Sequence, residues 1–290
     1  MSQWDGKSKG TLLGYKIFVF LLKKLGVRAA YDLLVFVSFY YFLFYPKSFQ
    51  AIYYYLRRRQ GYGAWKACWN VYRAYFVFGQ TIIDKVAISS GLRDRFTYEF
   101  DGIDILKEVL ASKSGGVLIS AHVGNFEIAD KFFADIDLNF QINMVTVDQE
   151  RTVIKEYIES IAEKPTVKFI HIKEDMSHVF AINDALSNNE LICFTGDRYF
   201  DGAKTLLTPF LGKDAHFPAG PFHIASRLSA PVVFVYVMRE AGLHYHLYAR
   251  RAVEVKRRDP LSYLTAYTDS VEKILRQYPL QWFNFFDFWK

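Results

Sequence analysis

His122 and Glu127 stand five positions apart in the run GGVLISAHVGNFEIAD, 115–130. An imidazole and a carboxylate held together can move a proton. A carboxylate that fixes one ring nitrogen as N–H leaves the other as a general base. In one continuous helix this spacing would send the two side chains to different faces. Across a strand–turn–helix corner, the carboxylate can instead fold back toward the ring. The local pattern predicts such a corner: an apolar strand over 117–121, a turn at Gly124 and Asn125, and a helix from Phe126 with Asn125 as its N-cap. The same residues also have a purely structural reading. A first-turn carboxylate favours a helix through the helix dipole alone, and a strand-end histidine can simply be hydrogen-bonded.

Further along, Asp197 and Arg198 close an apolar strand at 191–195 and are expected on the same rim as His122. Arg198 can bind a phosphate or carboxylate of a substrate, assist an oxyanion, or form a structural ion pair with Asp197. Gly220, in FPAGPF, lets backbone N–H groups approach an anion, although a helix start with Pro221 at its first position accounts for the same residues. Arg239 ends the next strand as a further candidate for headgroup phosphate. His244 and His246 share one strand face, but no further ligands of suitable spacing appear, so no metal and no cofactor is expected. Cys68 and Cys193 lie apart in apolar surroundings and read as buried thiols.

If the substrate were an acyl thioester, these residues would allow direct acyl transfer. A thiolate leaves readily, so no covalent nucleophile is required. A base for the acceptor hydroxyl and donors for the oxyanion suffice. No G-x-S-x-G stands between an expected strand and helix, where a nucleophile elbow requires it.

Positioning these groups requires alternating elements. Strands are expected at 96–100, 117–121, 140–147, 167–172, 191–195, 232–238 and 244–255. Helices are expected at 104–112, 126–134, 150–162, 175–187, 221–228 and 261–277, and 205–218 reads as a loop. The fold class is therefore α/β, a largely parallel sheet flanked by helices. Residues 1–92 form a separate N-terminal helical region and 93–290 the α/β domain. Residues 1–10 are polar. The stretch 33–45 is apolar and, with flanking residues from Leu25, reaches the roughly 20 residues a bilayer span needs. Its FYYFLFY segment suits a membrane interface, and basic residues on both sides leave the orientation open. Two helices are expected within 47–90, with Arg57, Arg58 and Arg59 as a basic cluster.

The chain has 290 residues, 51% hydrophobic and 18% aromatic, with a net charge of +6. That supports a sizeable core or a lipid-facing surface. It also suits an anionic partner such as a membrane, a phosphorylated glycolipid or an acidic carrier. No nucleic-acid-binding motif is present.

AHVGNFE resembles the His-x4-Asp/Glu signature of the lysophospholipid acyltransferase superfamily, and more closely its bacterial lipid A late acyltransferase branch. LICFTGDRYF (191–200), FLGKDAHFPAGPFHIASRLSAPVVFVYVMR (210–239) and QWFNFFDFW (281–289) resemble later segments of that branch in the same order. Gly-Asp-Arg stands where Asp-Gln is common, and Phe234 where proline is common. The resemblance implies direct transfer of a fatty acyl chain, from acyl carrier protein or coenzyme A, to a membrane lipid such as a lipid A precursor. It also implies the cytoplasmic face of a bacterial inner membrane, with His122 as base and Glu127 orienting it. A hydrolase that activates water with His122, and a non-catalytic lipid-binding protein, are the alternatives.

Overall fold

A computed structural model describes residues 12–133, 140–146, 167–173, 175, 177–200 and 202–289. The expected helix at 150–162 and the polar residues 1–10 lie outside the described residues.

Nine strands are described. Seven form one sheet: β1 (Thr97–Asp101), β2 (Gly116–Ser120), β3 (Ile142–Thr146), β4 (Val167–His171), β5 (Leu191–Thr195), β8 (Val232–Arg239) and β9 (His244–Arg251), in the order β1-β9-β8-β2-β5-β3-β4. The five strands from β8 to β4 run parallel. β9 turns back antiparallel to β8, and β1 lies parallel to β9. The sheet is thus largely parallel and flanked by helices. β2 is buried along its whole length, as its unbroken apolar run requires of a central parallel strand.

The stretch at 205–218 is an antiparallel hairpin, β6 (Thr205–Phe210) and β7 (Lys213–Pro218), rather than a loop. Its prolines sit at strand positions that a two-stranded ribbon tolerates, because its outer edges need no ladder donor.

The helices are α1 (Leu12–Phe44), α2 (Pro46–Tyr54), α3 (Ala64–Ala87), α4 (Ile103–Ala111), α5 (Ala129–Phe133), α6 (Ser177–Ser187), α7 (Ala219–Arg227) and α8 (Pro260–Gln277). α8 starts on Asp259, whose side chain accepts from the N–H groups of Leu261 and Ser262, with Pro260 in the first turn. On one sheet face, Tyr263, Leu264, Tyr267 and Val271 of α8 pack over Val117, Ile119, Phe194 and Phe234. On the other, Leu106 and Val109 of α4 meet Leu118, Cys193 and Val233, while α1 and α3 cover Val237, Tyr245 and Leu247.

α1 is interrupted at Gly26, whose φ of 83° is left-handed. Its segment Lys16–Phe44 is long and apolar enough to cross a membrane, and only 22% of the most apolar window is buried. Phe20, Phe36, Phe39, Tyr40, Leu43 and Phe44 are exposed along it, as are Trp65 and Trp69 at the start of α3. Ile52, Tyr55, Leu56, Ala67 and Val71 share one core with the central strands.

Candidate active site

β2 and β5 are neighbours in parallel register, Ser120 opposite Thr195. Two residues past those paired ends come His122 on one strand and Asp197 on the other. His122 Nδ1 lies 2.8 Å from Asp197 Oδ1, and the His122 backbone N–H donates to Asp197 Oδ2 at 3.0 Å. Both carboxylate oxygens therefore bind the same residue. Trp282 Nε1 approaches Oδ2 at 3.4 Å. Asp197 is buried, whereas the His122 side chain is 26% exposed, so the pair has one dry end and one accessible end. With the proton on Nδ1 facing the carboxylate, Nε2 carries the lone pair.

The turn after His122 is clamped on two sides. Asn125 N donates to Val237 O of β8 at 2.7 Å, and Gly124 N donates to Gln281 O at 2.8 Å. Phe283 N donates to His122 O at 3.0 Å, and Arg198 Nη2 reaches Phe283 O at 2.5 Å. The C-terminal segment thus ties both ends of the site together. Gly124 has a φ of +62°, and a Cβ there would sit 2.1 Å from Val237 O, so the close approach of turn and strand requires glycine.

Burial lowers the His122 pKa below 6.5, and the Arg198 guanidinium adds to this, outweighing the opposing pull of Asp197. Asp197 would be raised by burial. The imidazole and its hydrogen bond, the Arg198 charge and the His122 backbone N–H together hold it below 3.8. Burial brings Arg198 down to about 10. The site thus pairs a neutral imidazole with an ionised carboxylate at neutral pH.

The expectation that Glu127 orients His122 is corrected. Glu127 lies in the short 3-10 turn Phe126–Ile128 before α5, exposed, and ion-pairs Lys85 of α3. The first turn points its side chain outward to the helix layer, while the sheet register brings Asp197 to the ring. Asn125 makes no N-cap bond. Its side chain is buried and donates to Thr81 O at 2.9 Å and Tyr245 Oη at 3.3 Å.

Arg239 is likewise not open to a headgroup. Nε donates to Asp84 Oδ2 at 3.0 Å, Nη1 to Glu240 O at 3.0 Å, and Nη2 to Tyr31 Oη at 3.2 Å and Gly242 O at 2.7 Å. Gly220 is exposed in the first turn of α7, with nothing within 4 Å of a Cβ built there. Two residues on, the Phe222 ring packs beside Gly196, between β5 and Asp197. Burial pushes the Cys193 thiol up to about 12, which leaves it inert.

Residue-by-residue reading had no means to find Lys85 or the part played by Gln281 and Phe283. The aromatic run 281–289 was the visible signal for the latter. It lies over the hairpin, with Trp282 stacked edgewise on Tyr55, Phe210 and Phe288.

A sequence model of the bacterial lipid A biosynthesis acyltransferase matches residues 69–290, from within α3 through the last strand and the aromatic close. The chain belongs to the bacterial lipid A biosynthesis acyltransferase family. Membership brings with it acyl transfer in lipid biosynthesis, and the match spans His122, Asp197 and the C-terminal clamp together. No curated protein matches the chain.

Proposed function

We propose that the chain transfers a fatty acyl group from an acyl carrier protein or coenzyme A thioester directly to a hydroxyl or amine of a membrane lipid, of the lipid A precursor or a related glycolipid class. The observation that carries the mechanism is the His122–Asp197 pair at the ends of adjacent parallel strands.

In this reaction the acceptor hydroxyl attacks the thioester carbonyl and gives its proton to His122 Nε2. The resulting imidazolium is stabilised across Nδ1 by Asp197. The tetrahedral intermediate collapses, the C–S bond breaks, and the proton passes from His122 to the departing sulfur. The products are an acyl ester and a free thiol. Nothing is oxidised, and the protein is not acylated. A depressed His122 pKa keeps the base unprotonated at neutral pH. Arg198, beside the pair, supplies positive charge toward the oxyanion or an acceptor phosphate. The open backbone at Gly220 gives an anionic headgroup room to approach α7. Glu127, through Lys85, holds the turn against α3.

The exposed aromatic face of α1 and the tryptophans at the start of α3 support anchoring at the membrane, on the cytoplasmic face of the inner membrane where thioester donors are made. The test is comparative lipid mass spectrometry of three strains: native, deleted, and deleted carrying His122→Ala. One acylated lipid absent from both altered strains supports the reading and names the acceptor by its mass. A lipid profile restored by His122→Ala removes His122 as base. Thioester turnover by the purified protein that needs no lipid acceptor would instead mean hydrolysis.

A further inference from the structure

A second set of titratable side chains meets at the edge of the sheet, outside the His122 site. His244 and His246 lie two residues apart on β9 and face the same side. Glu99 of β1 is opposite His246 in register. Its Oε1 is 2.8 Å from His246 Nδ1 and 3.9 Å from His244 Nε2. Glu240 lies just past β8, across the turn from His244, and its backbone N–H donates to His244 O at 2.9 Å. That turn brings Glu240 Oε1 within 3.7 Å of His246 Nδ1. Ligand atoms of Glu99, Glu240 and His244 all fall within 4.8 Å of one another. The two histidines are visible as a pair in the sequence. The two carboxylates join them only because β1 docks beside β9 and the hairpin closes.

We propose that Glu99, Glu240, His244 and His246 form a binding site for a zinc ion. Two imidazoles and two carboxylates are a donor set that zinc accepts, and the two negative charges match the cation. A tetrahedron with bonds of about 2.0–2.1 Å has edges of about 3.3–3.4 Å. The separations of 2.8, 3.7 and 3.9 Å bracket that value; Glu99, Glu240 and His244 already meet within 4.8 Å, and His246, outside that set, must turn toward them to complete the shell.

The groups behind the ligands are also arranged for it. Thr97 Oγ1 lies 2.8 Å from His244 Nδ1, which directs Nε2 toward Glu99. Tyr278 Oη donates to Glu240 Oε1 at 2.5 Å. The His246 ring lies flat on Tyr248, with centroids 4.1 Å apart and planes 12° apart, and its orientation is thereby held. Such outer contacts fix the direction of metal-binding groups. Four protein ligands leave no open position, so the ion is structural. It staples β1, the first strand after the N-terminal helices, to the β8–β9 hairpin.

The test uses tag-free, full-length protein in detergent, stripped of metal and titrated with Zn²⁺ against a chromophoric chelator. One Zn²⁺ per chain is expected, with millimolar Mg²⁺ failing to displace it. His244→Gln and Glu99→Gln should each weaken binding by at least about tenfold, since even outer partners are worth 10–100-fold. Absence of stoichiometric binding, or binding unchanged in both variants, overturns the site. X-ray absorption on the zinc-loaded native protein is independent of any variant's folding. Two imidazole nitrogens and two oxygens support the assignment, and any sulfur ligand, or fewer than two imidazoles, overturns it.

Discussion

Two buried aspartates organise this molecule, and they differ in what they hold. Asp197 sits buried at the end of β5 against His122, whose side chain is partly exposed. Asp84 sits on α3, fully buried, and receives Tyr245 Oη at 2.6 Å, Arg239 Nε at 3.0 Å and Tyr31 Oη. Both are desolvated carboxylates beside a basic group. Only the first has an imidazole partner, which can take up and release a proton. Arginine keeps its proton throughout, so the Asp84 cluster is a joint tying α1, α3, β8 and β9 together. In the proposed reaction, histidine, with its pKa depressed, makes the Asp197 cluster a proton-transfer device. The two are connected through Asn125, which donates to Tyr245 Oη while its own backbone N–H binds β8 beside the His122 turn. The joint therefore buttresses the device without taking part in it.

The sharpest separation of the two comes from His122→Ala. Acyl transfer should fall by about 10²–10⁴-fold, the range for losing a general base, with a smaller loss of thermal stability than Asp84→Ala, because the backbone N–H of residue 122 and Trp282 Nε1 still bind Asp197. Thioester turnover and circular dichroism on the same preparation read both. Asp197→Asn should lower kcat by on the order of 10²-fold, because an amide no longer selects the N–H on Nδ1. A rise in KM alone, with kcat unchanged, would break the assignment of Asp197 as the orienting group.

Asp84→Ala should behave in the opposite way. Leaving the Arg239 guanidinium buried without its carboxylate costs about 3–5 kcal/mol of stability, measured by denaturant unfolding. Turnover below the melting range should persist. If Asp84→Ala left stability intact and abolished turnover, the two clusters would have to be read as one.

The pH dependence follows from the sign of the shifts. The folded His122 pKa lies below 6.5, so the base stays unprotonated as pH falls through the ordinary histidine range. The acid limb of kcat/KM should therefore lie below pH 6.5. The stability linked to keeping His122 neutral is fully present above 6.5 and is lost as pH drops through its folded pKa. An acid limb above 6.5 would contradict the lowering of the His122 pKa by partial burial and the Arg198 charge.

The smallest effect is expected at Glu127→Gln. Its pair with Lys85 is 48% and 37% exposed at the two side chains, and exposed pairs contribute about 0–1 kcal/mol. Its loss in turnover should be well below that of Asp197→Asn. The reverse order would return the orienting role to Glu127.

Much of this architecture is legible in the residues. The unbroken apolar run of β2, the Gly-Asn turn and the alternation from residue 96 onward predict the α/β sheet, and His122 marks the strand end. Where the chain is misread, the cause is physical. The 205–218 stretch reads as a loop because Pro209, Gly212 and Pro218 are turn and breaker residues, yet a two-stranded ribbon accommodates them at its edges. Arg239 reads as a headgroup ligand because it ends a strand, and nothing local discloses that Asp84, on a distant helix, takes its guanidinium.

The sequence by itself determined which histidine ends the central strand, where the turn behind it falls and which elements surround it, because those follow from local periodicity and spacing. Only the tertiary structure decided which carboxylate serves His122. Asp197 is 75 positions away from it, and it arrives because β2 and β5 become sheet neighbours through a crossover that no local pattern encodes. Glu127 is near in sequence, but the first turn of its helix carries it outward to Lys85. Proximity along the chain set the expectation, and strand order set the partner.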